Sequence, residues 1–421
     1  MTFSQEIYNS GNFLTKIKSK DFLSAKKKLL DSLKNNSFGF LEDLNNKDFL
    51  LIKQNVKKLK KYSDILFLGT GGSSLGGKTL VEISDYLYSE KKTPSLHFIE
   101  NIETNSILRK IRSINLNNTA IVVISKSGET IETISQFFFV KSFYQKSRVS
   151  IENKVFVVTE NKQSTLKKIQ EANNFNYLEH PRSVGGRFSV FSIVGLLPAS
   201  LNKFKIEDFC KGGKNFLNIV RKDGNFDNLF FPVLSLCKNH RKINMSILMP
   251  YSDALYNLSF WYRQLWGESI GKKRKGITPI NALGTVDQHS QLQLYLDGPR
   301  DKFFTIIGKK KIDSFQKLDC SYSQKDKYSP LHGKSLQQLF FAEMHATIQT
   351  LKDKKLPIRT LFLDDFNEIE LGKLMMFFFL ETIMGCFILK INPFDQPAVE
   401  KGKQLALKYL DEYGTNQRTI R

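Results

Sequence analysis

Two stretches of this chain follow one order: a short apolar run, a turn rich in glycine and serine, then a segment with helical spacing. In "DILFLGTGGSSLGGKTLVEISDYL" residues 65–68 predict a strand. In "TAIVVISKSGETIETISQFFFVKSF" residues 120–124 predict another, followed by a helix whose apolar positions include Ile134, Phe137 and Phe138. Apolar runs this short, alternating with helical segments, are how strands of a parallel sheet covered on both faces read. In both units the turn falls at the carboxyl end of the strand, where open α/β sheets bind ligands. "KVFVVTE" continues the alternation. After about residue 200 it begins again, with "INMSILMPYSD" and "KFFTIIG" as strands and "LYNLSFWYRQLWGES" as an aromatic-rich helix. The expectation is an α/β chain with two mostly parallel sheets flanked by helices. A helical segment at 1–50, a first α/β domain at 51–200, a second at 201–390 and a C-terminal loop and helix at 391–421 complete the plan.

A chain of 421 residues with 41% hydrophobic content can fill such cores. The first twenty residues, "MTFSQEIYNSGNFLTKIKSK", lack the apolar block of a secretory signal. Residues 374–380 form the most apolar segment, but Lys373 and Glu381 interrupt it, so it reads as a buried helix rather than a membrane span of roughly 20 residues. The four cysteines, Cys210, Cys237, Cys320 and Cys386, lie far apart and predict neither a disulfide framework nor a metal knuckle. Reduced thiols and a cytoplasmic location are expected. The net charge of +22 comes mostly from scattered lysines, and only "GKKRKG" at 271–276 is dense. That pattern predicts solvated faces and a field that draws anionic metabolites, not a nucleic-acid partner.

Five phrases carry chemistry. "SVGGRFSVFSIVGLLP" sets Arg187 directly after Gly185 and Gly186, so a fixed positive charge follows backbone that a ligand can approach closely. "SKSGETIET" places Ser125, Ser127, Thr130 and Thr133 around the start of a helix, where hydroxyls and free N–H groups favour a phosphate, although one such residue alone would only cap the helix. "QLWGESIGK" carries Glu268 and "GTVDQHSQLQ" carries His289, a pair suited to acid–base work. "GGSSLGGKT" satisfies the P-loop pattern over residues 72–79, which opens a rival reading as a nucleotidase. That reading also needs an acidic residue ending a strand to hold magnesium, and Glu160 and Asp364 are the weak candidates.

Together these phrases resemble the phosphoglucose isomerase family. "GTGGSSLGG", "SKSGETIET", "VGGRFSVFSIVGL", "GESIGK", "GTVDQHSQLQ" and "FDQPAVEKGKQLA" occur in that family's order and span residues 69–406. The resemblance implies two sugar-isomerase (SIS) domains and interconversion of glucose 6-phosphate and fructose 6-phosphate through a cis-enediol intermediate, with no metal or cofactor. It implies phosphate binding at Ser125, Ser127, Thr130 and Thr133, and a sugar site lined by Gly72 and Ser73. Glu268 takes the place of the base that moves a proton between C2 and C1, and Arg187 that of the cation stabilising the intermediate. His289 and Lys403 take the ring-opening positions, and Gln396 that of a ligand-contacting glutamine. It also implies a homodimer in which His289 reaches the neighbouring subunit's site. The sequence departs from the family's common pattern at Gly128 and Glu129 relative to animal members, at Ile270 and at Asp287.

Overall fold

The computed structural model describes residues 3–9, 20–44, 48–88, 94–223, 227–238, 241–311, 316–320 and 329–415. Ten strands form two five-stranded sheets. The first contains β2 (Asp64–Leu68), β3 (Ser95–Ile99), β4 (Thr119–Ile124), β5 (Val155–Thr159) and β6 (Asn176–Glu179), in the order β3-β2-β4-β5-β6, all parallel. The second contains β1 (Phe3–Tyr8), β7 (Met245–Pro250), β8 (Thr278–Asn281), β9 (Lys302–Lys309) and β10 (Ile358–Leu363), in the order β1-β10-β9-β7-β8. Its strands are parallel except β1, which pairs antiparallel with β10 at the edge.

The strands predicted in both halves therefore form as read. The expectation of a helical first fifty residues fails at β1, while Lys20–Lys34, Phe40–Asp43 and Phe49–Leu59 are helices. "FSQEIY" alternates polar and apolar side chains, and a strand at a sheet edge needs only one apolar face. Residues 10–19 of that expected segment and the last six of the C-terminal segment lie outside the described residues.

Alternation along the strands divides the core. Ile65, Phe67, Val122, Ile124, Phe156 and Val158 face a central core that also takes Phe303, Ile307, Leu361 and Leu363 of the second sheet. Their neighbours Leu66, Leu68, Ile121 and Val123 face outward onto Phe137, Val140 and Tyr144 of the helix Ile131–Lys146. Phe138, expected on that apolar face, is exposed instead, because consecutive helical residues point about 100° apart and Phe137 holds the inner position. The centre of the molecule is the helix Glu368–Leu389, packed against the helices Ile206–Asp223, Lys20–Lys34 and Tyr256–Ile270. Among the described residues it alone is long and apolar enough to cross a membrane, longer than residues 374–380 predict, and it is buried inside the protein. Its charges are paired: Glu381 with Arg359 of β10, and Lys373 with Glu370 at 2.9 Å. Fully burying each large aliphatic or aromatic side chain of this kind contributes about 1.5–3 kcal/mol, which makes the helix the firmest reference for the elements around it.

Candidate active site

In the first sheet the chain steps from β2 outward to β3 and then returns to β4 on the other side of β2. The crevice at this reversal, at the strands' carboxyl ends, receives the turn after β2 and the hydroxyl-rich turn after β4. A cavity of about 560 Å³ lies there, lined among others by Gly72, Ser73, Ser127, Thr130, Arg187 and Glu268. Gln396 and Lys403 complete the expected set on its wall.

The turn after β2 and the turn bearing Arg187 are packed backbone to backbone. A Cβ on Gly72 would sit 2.2 Å from the carbonyl carbon of Gly186, so only glycine permits this contact. Ser189 Oγ donates to the carbonyl of Gly72 at 3.0 Å and fixes the pair. Arg187 is almost fully buried, and each face of its guanidinium is used. Nε donates to Ser269 Oγ at 2.8 Å, and Nη2 donates to the carbonyls of Pro393 and Asp395 at 2.6 and 3.1 Å. Nη1 donates to Gln396 Oε1 at 2.8 Å and to Glu268 Oε2 at 3.1 Å. Burial pushes the Arg187 guanidinium down from its ordinary value, and the Glu268 charge pulls it back up. It stays a cation, held in one orientation before any ligand arrives.

Glu268 sits near the end of the helix Tyr256–Ile270, and its other oxygen accepts from Gln264 Nε2 at 3.0 Å. Gln264 lies one turn earlier on the same face, and it too lines the cavity. The carboxylate is thus aimed by two donors while remaining accessible from the cavity, its side chain 36% exposed. Lys403 stands in the first turn of the helix Glu400–Thr415 and donates to Glu400 Oε1 at 2.7 Å.

The hydroxyl turn is built differently. Ser125 Oγ donates to Thr130 Oγ1 at 2.9 Å and accepts from the Gly128 N–H at 3.2 Å, and Ser127 Oγ accepts from the Glu129 N–H at 3.1 Å. Gly128 has φ +69°, and a Cβ there would strike Ser164 Oγ at 2.1 Å, so the turn requires glycine. Thr130 precedes the first turn of the helix Ile131–Lys146 without capping it through its side chain. Ser127 and Thr130 line that cavity, whereas Ser125 is buried within the turn and Thr133 is buried in the helix with its hydroxyl unpartnered among the described residues. Of the four expected phosphate-binding hydroxyls, two therefore reach the cavity surface directly.

His289 is elsewhere. It is exposed and lines a second cavity, of about 540 Å³, with Tyr251, Thr285, Leu336 and Phe340. The expected neighbours Arg187 and Glu268 do not line that cavity.

The P-loop reading meets a geometric obstacle. The helix Leu75–Leu87 starts before Lys78, whose ammonium pairs with Glu100 at 2.8 Å. Thr79 is fully buried, donating to the carbonyls of Leu75 and Asn257, so it cannot hold a metal ion. Gly77 packs against Pro198, and its missing side chain serves helix packing rather than phosphate.

Lys126, Lys162 and Gln264 line the first cavity without having been singled out by sequence, as does Glu160, which the sequence offered only as a weak magnesium ligand of the nucleotidase reading. Gln264 was within reach of helical spacing from Glu268. The lysines give no signal in so basic a chain.

The phosphoglucose isomerase family model matches residues 53–420. The chain is 34% identical over 406 residues to a probable glucose-6-phosphate isomerase of Methanococcus maripaludis, covering 94% of this chain and 91% of that one. It is 31% identical over 354 residues to the glucose-6-phosphate isomerase of Thermus thermophilus, covering 82% and 83%. A crystal structure of a hypothetical protein from Thermus thermophilus superposes with a TM-score of 0.85 at 26% identity, covering 97% of this chain and 100% of that one. The fold also matches a glucose-6-phosphate isomerase structure from Chlamydia trachomatis, with a TM-score of 0.74 at 24% identity over 88% of this chain and 74% of that one. With the family's motifs in order and its model spanning most of the sequence, this chain belongs to the phosphoglucose isomerase family.

Proposed function

We propose that this protein is a cytoplasmic aldose–ketose isomerase that interconverts glucose 6-phosphate and fructose 6-phosphate, a step of glycolysis and gluconeogenesis. The observation that carries the reading is the meeting of Glu268 and Arg187 in one cavity with Ser127 and Thr130. A proton on carbon next to a carbonyl is weakly acidic, so its removal needs a positioned base and a cation already aimed at the developing enediolate. Glu268 supplies the first: its carboxylate takes the C2 proton of the open aldose and returns it to C1. Arg187 supplies the second, because its orientation is set by Ser269, Gln396 and two carbonyls rather than by substrate. Ser127 and Thr130, with the helix N-terminus behind them, hold the phosphate at the far end, assisted from within the turn by Ser125. Gly72 and Ser73 line the sugar between, and Lys403 and Gln396 close the other wall.

His289 acts on the ring oxygen from the neighbouring subunit of a homodimer. Two observations support this. The side chain is exposed and lines a different cavity from Glu268. The helix Glu400–Thr415, which carries Lys403, also exposes Leu405, Leu407, Tyr409, Leu410 and Tyr413, an apolar surface of the kind that marks a protein interface. Formation of glucose 6-phosphate from fructose 6-phosphate, followed with a coupling dehydrogenase, tests the reading. Binding of fructose 6-phosphate without turnover or solvent exchange of a C1 hydrogen would instead leave a non-catalytic sugar-phosphate sensor.

A further inference from the structure

The cavity that holds Arg187 and Glu268 is also lined by Lys126, Glu160 and Lys162, which the proton transfer does not use. Glu160 follows β5 directly, and the segment after it is fastened to the hydroxyl turn along its length. The Glu160 N–H donates to the Lys126 carbonyl at 3.2 Å, and the Leu166 N–H donates to the Gly128 carbonyl at 3.0 Å. Glu129 accepts from both the N–H and the hydroxyl of Thr165 at 2.7 Å. Arg182 Nη2 holds the other side by donating to the Asn161 carbonyl at 2.8 Å. The two turns form one body, so the backbone that carries Glu160 and Lys162 keeps a fixed relation to Ser127 and Thr130.

On that body the Glu160 side chain is 8% exposed, between two lysines. Its carboxylate pairs with Lys162 Nζ at 2.6 Å and lies 3.5 Å from Lys126 Nζ, whose side chains are 45% and 32% exposed. Burial pushes the Glu160 carboxyl up, but the Lys162 hydrogen bond and both lysine charges outweigh this and hold it below the ordinary carboxylate range. His180, close behind, is pushed down to about 4 by burial and is neutral near pH 7. The corner therefore carries two cations and one anion. An exposed pair of this kind is usually worth little. Here, however, the carboxylate is buried and Lys162 lines the cavity, and a carboxylate beside a phosphate site costs affinity unless it holds a cation in place.

We propose that Lys162 is a phosphate-contacting, specificity-determining residue and that Glu160 is its positioning residue. When a sugar phosphate enters, the Lys162 ammonium turns from Glu160 to the phosphoryl oxygens and shares them with Ser127 and Thr130. The corner thereby favours a phosphate dianion over neutral or singly charged groups of the same shape. This inference rests on the proposed isomerase reading and assigns one more contact to its phosphate end.

Steady-state kinetics of the full-length protein with fructose 6-phosphate, with inorganic phosphate as a competitive inhibitor, test it. Lys162→Ala should raise both KM and the inhibition constant of phosphate roughly tenfold with kcat within about twofold, since the contact is made equally in ground and transition states. Lys162→Arg should recover most of the loss. Glu160→Gln should also raise both constants, although it removes a negative charge beside the anion. Unchanged constants in Lys162→Ala, or a kcat that falls as far as kcat/KM, overturn the contact. Lower constants in Glu160→Gln overturn the positioning role. A wild-type protein without turnover would defeat the isomerase reading instead, and calorimetric titration of inorganic phosphate into the same variants would still decide Lys162 by the same tenfold criterion.

Discussion

Both sheets reverse direction beside a central strand, and both open a cavity at the carboxyl ends there, yet the two cavities collect different chemistry. Beside β2 and β4 the walls are charged and hydroxylic, with Arg187, Glu268, Lys403, Ser127 and Thr130. Beside β7 and β9 the walls set the apolar side chains Leu336, Leu339, Phe340 and Phe366 among Asp253, Lys309 and Glu343, and the one predicted catalytic side chain is His289. The same strand–turn–helix unit thus lines one cavity with Arg187, Ser127 and Thr130 and the other with more aromatic and aliphatic side chains. The turns differ in charge and size: "SKSGET" brings two cavity-lining hydroxyls, Ser127 and Thr130, and a lysine, whereas "PYSDAL" brings the ring of Tyr251 with Ser252 and the carboxylate of Asp253. A fold repeated within a chain does not repeat its chemistry. Glu268 lines one cavity and His289 the other.

Substitutions in the first cavity can break this contrast. The largest effect should come from Glu268→Gln, which keeps size and one acceptor but removes the base. We expect kcat to fall by about 10³-fold with KM little changed, measured by the coupled assay. A variant retaining the wild-type rate would leave the cavity without its proton acceptor. Arg187→Lys should follow, with kcat lower by about 10²-fold, because an ammonium keeps the charge but not the fork that spans Ser269, Gln396 and Glu268. The same substitution should lower unfolding stability by about 2 kcal/mol in a denaturant titration, since the carbonyls of Pro393 and Asp395 lose their donor. Ser127→Ala combined with Thr130→Ala sharpens the contrast at the anion end. It should raise KM roughly tenfold while kcat holds, and an unaltered substrate dependence would remove the phosphate from this turn.

Much of the fold was legible because strands covered on both faces show up as apolar runs. Residues 65–68, 120–124 and "KVFVVTE" are such runs, and each is a strand in the first sheet. β1 escaped because it pairs along one edge only, and its alternating side chains give a signal too short to separate from the helices that follow. Phe138 was misplaced because adjacent phenylalanines cannot share one helical face, and burial chose Phe137.

The site was legible where backbone geometry demands particular residues. Gly72, Gly128 and Arg187 are dictated by close approach, positive φ and a fixed cation, so their phrases stand out. Lys162 and Glu160 were not, since one lysine among 63 basic residues carries no pattern until its neighbours in space are known. The inward turn of Ser125 and Thr133 was hidden for a related reason, because helical spacing shows which residues are near a turn but not which hydroxyls face the cavity. The separation of His289 from Glu268 is invisible in sequence because spacing along the chain does not show which of two cavities a side chain lines.

A mixed dimer tests that separation most directly. Glu268→Gln and His289→Ala chains, coexpressed with different tags and purified through both, place both substitutions in one active site and neither in the other if His289 acts across the interface. Such a dimer should recover about half the wild-type turnover, while each parent homodimer stays inactive. A mixed dimer as inactive as its parents, or chains that never copurify, would contradict the account.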